Sequence, residues 1–384
     1  MFREKIGLLE VHGYAGKGGG VVHSYMLVRG LIRSGKFRVV VARPPNEFYL
    51  HNKALIDVGA EIVEVNLKEE KSFFTSIFRL VEIINSKKLE IIHCHHKNAI
   101  IIGSLAGMIT SKPVVAVLHG LPSERANGIR FRDRFLEFIL SLALRYRVKK
   151  IVCISRFVEN INRKLLHIPP GKTRVIYNGI DFSRVKPHYD KEMLKKYFGI
   201  SRNRKVITTI GRLNIQKGMH YFIEIANIIV NKIGKKEVLF LVVGDGKLMP
   251  VLAEKVERYR LSDFVKFVGY VEEISKIYGV TDILVSLSVD EGFGRTPLEA
   301  MINGIPVVAF ASGAIPEIVS GQEVGYLVDY GDVEMASMRI LELLENDKKR
   351  QKFSKNAIRH AAWFSEERFV KEYVEFLEEV IGET

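Results

Sequence analysis

The chain has 384 residues, of which 47% are hydrophobic and 27% charged, with 31 glycines and 11 prolines. At roughly 150 residues per domain this allows two or three full hydrophobic cores, and the composition excludes global disorder, collagen and a disulfide scaffold. The formal net charge of +14 is unevenly spread: residues 1–180 hold 29 Lys and Arg against 14 Asp and Glu, the remainder 29 against 30. The whole excess lies in the first half, which points to an anionic partner there: a nucleic acid, a phospholipid surface or a phosphorylated substrate.

The opening residues hold too short an apolar stretch for a signal peptide, and no run reaches the roughly 18 apolar residues of a spanning helix. Short valine- and isoleucine-rich runs predict strands at 6–11, 37–42, 61–65, 89–94, 113–118, 150–154 and 174–177, with helix-length segments such as 22–34, 73–87 and 132–147 between them. Near-continuous apolar content, rather than strict alternation, is what a parallel sheet covered on both faces requires. The pattern breaks at 178–190 and resumes with strands at 206–211, 238–244, 265–269, 282–288, 305–310 and 325–329. The expectation is two α/β domains joined near residue 185, with ligands outside the carboxyl ends of the strands and in an interdomain cleft. Phe369, Tyr373, Phe376 and Val380 recur at helical spacing and predict a packed terminal helix over 366–381. Cys94 and Cys153, the two cysteines, lack CxxC spacing and fit a reducing, cytoplasmic compartment.

Several groups could carry chemistry. Gly16, Gly18, Gly19 and Gly20 follow the first strand and can cradle phosphate, although they match neither GxGxxG nor GxxxxGK[ST]. In His93, Cys94, His95 and His96 strand alternation sends the first and third to one face and the others to the opposite one; with no carboxylate nearby in sequence, a metal site is not expected. His119 stands at a strand end, equally compatible with a core or a functional role. Around the apolar run 135–144 stand Arg125, Arg130, Arg132, Arg134, Arg145, Arg147, Lys149 and Lys150, opposed by Asp133 and Glu137. Such a helix can lie on anionic lipid or serve as a core helix with charged ends; interleaved stacking aromatics for RNA are missing.

In the second half, Arg212 and Lys217 in GRLNIQKG flank a strand end and a helix start, a placement that suits two adjoining phosphates. The stretch EGFGRTPLE places Glu291, Gly292, Phe293 and Gly294 after a strand. Thr296, Pro297 and Glu299 then read as a helix start, with Thr296 capping and Glu299 closing a capping box. Two glycines beside a carboxylate suggest close backbone approach to a ligand.

With the glycine loop 16–20, His119, VIYNGID at 175–181, GRLNIQKG at 211–218, VGDG at 243–246, FVGYV at 267–271 and the eight-residue step from Glu291 to Glu299, the chain resembles, over its whole length, the retaining nucleotide-sugar glycosyltransferases of family 4. That resemblance implies a GT-B fold: two Rossmann-like doubly wound parallel-sheet domains facing across a cleft, the first of 1–183 with 366–384 on the acceptor side, the second of 184–365 holding the nucleotide sugar. It implies that Arg212 and Lys217 hold the donor diphosphate and Glu299 the ribose. Glu291 faces the sugar with backbone groups of Phe293 and Gly294, Val268 lies in the segment bordering the base, Gly19 and Gly20 approach the diphosphate, and His119 contacts the sugar or reacting centre.

The further expectations are sugar transfer to a hydroxyl acceptor that is lipid-linked, anionic or a glycan precursor, without metal or cofactor and without nucleic acid, in the cytoplasm, either free or peripheral on the inner face of the cytoplasmic membrane. The donor base, whether uridine, guanosine or adenosine, stays open. A nucleotide-sugar epimerase and a non-catalytic nucleotide-sugar binder are the alternatives. One departure from the family pattern is Ala314 in SGAIPE, where a second glycine is common; its methyl group is tolerated if its backbone keeps a negative φ.

Overall fold

In a computed structural model, residues 5–13, 19–45, 52–67, 72–121, 131–319, 321 and 323–383 are described. The chain divides into two compact units, residues 1–179 with 366–384 and residues 180–365.

The first unit is built on seven strands, β1 Ile6–His12, β2 Phe37–Arg43, β3 Glu61–Glu64, β4 Ile91–His95, β5 Val114–Leu118, β6 Lys150–Cys153 and β7 Thr173–Val175. They pair parallel throughout in the order β3-β2-β1-β4-β5-β6-β7. Every residue of β4 and β5 is buried, as expected when crossover helices cover both faces of a parallel sheet. The terminal helix Glu366–Gly382 buries Phe369, Tyr373, Phe376, Leu377 and Val380. It packs on the helix Gly19–Arg33 so closely that a Cβ at Gly30 would lie 2.2 Å from Val370. Arg29 fastens the pair by donating from Nε to Glu366 Oε1 at 3.0 Å.

The second unit holds β8 Lys205–Ile210, β9 Val238–Val243, β10 Val265–Gly269, β11 Ile283–Ser286, β12 Val307–Phe310 and β13 Gly325–Val328. They too pair parallel, in the order β10-β9-β8-β11-β12-β13. The core on one side of this sheet gathers Phe222, Phe240, Phe310, Ile340 and Phe353, and the other side rests on Leu194, Leu241, Ile277 and Val280.

In both sheets the winding reverses once, between β1 and β4 in the first and between β8 and β11 in the second. Loops leaving the carboxyl ends of strands at such a point flank a ready crevice. Among the described residues, no helix is long and apolar enough to cross a membrane.

Candidate functional site

In the second unit the loops at the reversal are 211–218 after β8 and 287–294 after β11, the segments that carry Arg212, Lys217 and Glu291. The two loops are joined through their backbones, Val289 N donating to Gln216 O at 2.7 Å. Across the junction Lys217 Nζ donates to Glu291 Oε2 at 2.5 Å. Lys217 ends a short 3-10 turn whose closing N–H is accepted by Asn214 Oδ1 at 3.1 Å. The helix Met219–Asn227 begins two residues later with no side-chain cap; Tyr221 N donates to Gly218 O at 3.0 Å, and the N–H groups ahead of it are placed to meet an anion. Arg212 is exposed on the same loop.

The segment after β12 holds the Glu291 loop from its other side. Ser312 Oγ accepts from Asp290 N at 3.0 Å, and Glu291 O accepts from Ala314 N at 2.8 Å. Gly313 between them has φ +64°, and a Cβ there would stand 2.4 Å from the Glu291 backbone N and O. Glycine is therefore required by both conformation and space. Ala314 has φ −83°, so the methyl group that departs from the family pattern sits on ordinary backbone.

The helix after Glu291 differs from the sequence reading. It runs Arg295–Ile302, and its N-cap is Gly294 at φ +93° with no side-chain cap. Because glycine accepts that left-handed conformation, the helix starts ahead of Thr296, and the capping box expected from Thr296 and Glu299 does not form. Glu299 is instead buried and doubly bound: Tyr278 OH donates to Oε2 at 2.7 Å and Arg295 Nε to Oε1 at 2.6 Å. Burial and the adjoining Glu299 push the Tyr278 phenol well above its usual range. Sequence reasoning missed both partners; the four-residue step from Arg295 to Glu299 was a visible signal for one of them.

The Phe293 ring is buried with its centroid 6.1 Å from that of Phe364, which leaves only its backbone to meet a ligand. Val268 is half-buried where β10 bulges between Phe267 and Gly269. The structure thus brings Lys217 and Glu291 together and keeps Glu299 on the following helix with partners of its own.

In the first unit Gly19 and Gly20 open the helix Gly19–Arg33, while Gly16 and Gly18 lie outside the described residues. The reversal point there is filled with buried polar side chains. Register pairs Glu10 with His93 and His12 with His95, and alternation puts all four on one face. The expectation that no carboxylate stands near the histidines is corrected: Glu10 lies across the strand pairing, 83 residues away in sequence.

Glu10 Oε2 is 2.5 Å from His93 Nδ1. Its Oε1 is 3.2 Å from His12 Nε2, 3.3 Å from Ser24 Oγ, which donates, and 2.7 Å from His95 Nε2. The last contact is bent away from the ring N–H direction. Burial alone would raise the Glu10 carboxyl, but His93 and His95 beside it, with hydrogen bonds from His12 and His93, hold it well below the usual carboxylate range.

His119, half-buried after β5, approaches His95 Nδ1 through its Nε2 at 2.7 Å. His23 Nδ1 meets Asn178 Oδ1 at 2.6 Å. Burial depresses His95 and His119 well below the ordinary imidazole range, His23 to about 3 and His96 to about 4. Glu10, His12 and His95 form one group, and His23, His95 and His119 another, whose potential ligand atoms all lie within 4.8 Å of one another.

Of the basic residues read either as a membrane or acceptor patch or as the charged ends of a core helix, Arg125 and Arg130 lie outside the described residues, as does the side chain of Arg132. On the helix Phe131–Tyr146, Arg134 is exposed and Arg145 half-buried; Arg147 just beyond it is exposed. The same helix exposes Phe135, Phe138 and Tyr146, at 56%, 59% and 66%, and the helix Phe73–Ser86 exposes Phe74 and Phe78. Aromatic side chains left in water beside arginines are not what a plain core helix presents.

Two Rossmann-like parallel-sheet units, with the terminal helix returning to the first, define the GT-B class of glycosyltransferase. The family models agree: Glycosyltransferase Family 4 matches residues 17–184, and Glycosyl transferases group 1 matches residues 190–360. The chain belongs to the GT-B glycosyltransferases related to these two groups. It is 28% identical over 286 residues, 73% of each chain, to the UDP-Gal:alpha-D-GlcNAc-diphosphoundecaprenol alpha-1,3-galactosyltransferase of Escherichia coli. It is 25% identical over 300 residues, 77% of this chain and 76% of the other, to the N-acetyl-alpha-D-glucosaminyl L-malate synthase of Bacillus anthracis. In fold it is similar to the Anabaena protein HepE, solved in complex with UDP, at a TM-score of 0.85 and 20% identity over 97% of this chain and 100% of that one.

Proposed function

We propose that the protein is a retaining, metal-independent glycosyltransferase that takes its sugar from a uridine diphosphate sugar and passes it to the hydroxyl of a lipid-linked or otherwise anionic glycan precursor at a membrane surface. One observation carries the reading: Lys217 and Glu291, 74 residues apart in sequence, pair at 2.5 Å where the winding of the second sheet reverses, beside a helix start with no side-chain cap. The choice of uridine is supported by the donor named for the E. coli relative and by the HepE complexes with UDP and UDP-glucose. A cell-envelope acceptor is supported by the diphosphoundecaprenol substrate of the same relative.

In this reading the Glu291 carboxylate holds Lys217 extended until a donor arrives. Lys217 and Arg212 then neutralise the diphosphate together with the uncapped N–H groups of the helix Met219–Asn227. Glu299, fixed by Tyr278 and Arg295, receives the ribose hydroxyls. Glu291 and the backbone of Phe293 and Gly294 face the sugar, Val268 borders the base, Gly19 and Gly20 approach the diphosphate, and His119 meets the sugar or reacting centre.

As the anomeric C–O bond lengthens, negative charge grows on the departing diphosphate, and the attraction of Arg212 and Lys217 grows with it; interactions that strengthen in the transition state are the ones that accelerate. The acceptor oxygen bonds to the anomeric carbon on the face being vacated, its proton passes to a phosphate oxygen of the leaving group, and the anomeric configuration is kept.

The first unit, residues 1–183 with 366–384 in this reading, serves the acceptor, and the second, 184–365, the donor. The exposed aromatic and arginine side chains of the helix Phe131–Tyr146 suit anionic lipid: aromatic rings enter the interface while guanidinium groups reach phosphate. The enzyme would then work on the cytoplasmic face of the membrane.

The test is incubation with UDP-, GDP- and ADP-sugars, with and without lipid-linked acceptors, following nucleotide release and the anomeric configuration of the product by NMR. Acceptor-dependent UDP release with retained configuration, unchanged by EDTA, is expected. Isomerised donor in the absence of acceptor would make the protein an epimerase, and tight binding without turnover would make it a sensor.

A further inference from the structure

The buried cluster of the first unit has a direction. Glu10 is held ionised, so its oxygens only accept hydrogen bonds. His95 Nε2 stands 2.7 Å from Glu10 Oε1 with its in-plane direction turned off that oxygen; a bare, partially negative nitrogen that close to a carboxylate oxygen would be repelled, so that nitrogen carries the proton. A neutral imidazole with one N–H offers its other nitrogen as acceptor, so His95 Nδ1 accepts and His119 Nε2, 2.7 Å away, donates. The centroids of these two rings are 5.0 Å apart, little more than the nitrogen separation plus two ring radii, so the hydrogen bond runs along the line joining the rings.

The same spacing decides against a metal ion between them. Two nitrogens each about 2.0–2.1 Å from a tetrahedral zinc stand roughly 3.3 Å apart, and an in-line gap of 2.7 Å has room for a proton only.

We propose that Glu10 and His95 are positioning residues for His119: through His95 the Glu10 carboxylate fixes His119 as its Nε2–H tautomer and leaves Nδ1 as the accepting nitrogen at the end of β5. The inference deepens the proposed function and rests on its assignment of His119 to the sugar or reacting centre. Everything around the chain suits this task. His93, His12 and Ser24 take up the remaining acceptor capacity of Glu10. Burial keeps His95 and His119 neutral, and His23 and His96, two of the groups facing His119, are themselves depressed to about 3 and about 4. Were the carboxylate removed, His95 would be free to reverse, and His119 would lose its fixed tautomer.

The experiment is long-range 1H–15N correlation on full-length protein labelled with 15N-histidine, with the His119 signals identified by their loss in His119→Gln. Wild type is expected to show His119 protonated at Nε2 and bare at Nδ1. Glu10→Gln is expected to show a mixture of tautomers and a fall in kcat of about tenfold or more, with donor KM within about twofold and partial recovery in Glu10→Asp. A His119 protonated at Nδ1 in wild type overturns the proposal whatever the variants do, so a Glu10→Gln protein that fails to fold does not shelter it. An unchanged His119 spectrum and unchanged kcat in folded Glu10→Gln overturn it as well. Full transferase activity in His119→Gln would instead remove His119 from the proposed reaction, while the tautomer is still decided by the spectrum.

Discussion

The two units share one plan and use it in opposite ways. Both are parallel sheets whose winding reverses once, and in both the polar side chains gather at the carboxyl ends of the strands beside that reversal. In the first unit the place is packed shut around Glu10, with the imidazoles of His23, His95 and His119 held neutral by burial. In the second it is left to loops, with a half-exposed Lys217–Glu291 pair and an exposed Arg212. A buried cluster orients groups and titrates with the fold; a half-exposed set of fixed charges can exchange partners for a ligand at little cost to stability. The same topology thus yields a rigid side and a binding side.

The largest effect that would sharpen this contrast is acid sensitivity confined to the first unit. His23 and His96 titrate near 3 and near 4 in the folded chain against about 6.5 when unfolded. The unfolded chain therefore binds protons first, so stability is full above about pH 6.5 and falls as the pH drops toward 4. The loss is on the order of several kcal/mol, and Glu10, whose folded pKa is also lowered, adds to it further into acid. Hydrogen exchange at pH 7 and 4.5, corrected for intrinsic rates, should show β1 and β4 losing protection before β8 and β9; parallel loss in both sheets would break the comparison.

Next in size is Lys217→Ala, expected to lower kcat/KM by about 10²- to 10³-fold, the usual cost of one group that stabilises developing charge, while leaving the melting temperature nearly unchanged. A comparable loss of stability would mean that Lys217 is structural.

Gly313→Ala should cost roughly 1–3 kcal/mol through a strained backbone conformation and weaken donor binding by displacing the Glu291 loop. Thermal melting and donor titration measure the two parts, and wild-type behaviour in both would contradict the tight approach at Gly313. The smallest effect is expected from Arg147→Ala, about fivefold weaker binding to anionic vesicles, at roughly 1 kcal/mol per basic residue near the surface. Equal binding of wild type to neutral and anionic vesicles would remove the lipid-facing role.

The sheets were legible in the sequence because buried parallel strands are written as short continuous apolar runs. The run 265–269 coincides with β10 at both ends. Strand starts shifted where an apolar run continues into the entering loop. β4 begins at Ile91 rather than Leu89; Glu90 just ahead of it donates its N–H to Gly7 O at 2.7 Å and accepts from Gly7 N through Oε1 at 3.0 Å.

The second-unit site was partly legible, because glycines beside charged residues at strand ends are local signals. The first-unit cluster was not. Alternation places Glu10 with His12, and His93 with His95, but which faces coincide depends on the pairing of β1 with β4, and no local pattern encodes that register. A lone glutamate inside the apolar run IGLLEVH was the available hint. The helix start at Arg295 was misread for a related reason: a glycine can cap by conformation alone, and its φ leaves no trace in the sequence.

The central claim, that a nucleotide sugar is held at the reversal point of the second sheet, is tested most directly by a crystal structure of the protein with a bound uridine diphosphate sugar. The account predicts the diphosphate within hydrogen-bond reach of Lys217 and Arg212 and the ribose within reach of Glu299. A nucleotide bound elsewhere, with the Lys217–Glu291 pair untouched by phosphate, would contradict it.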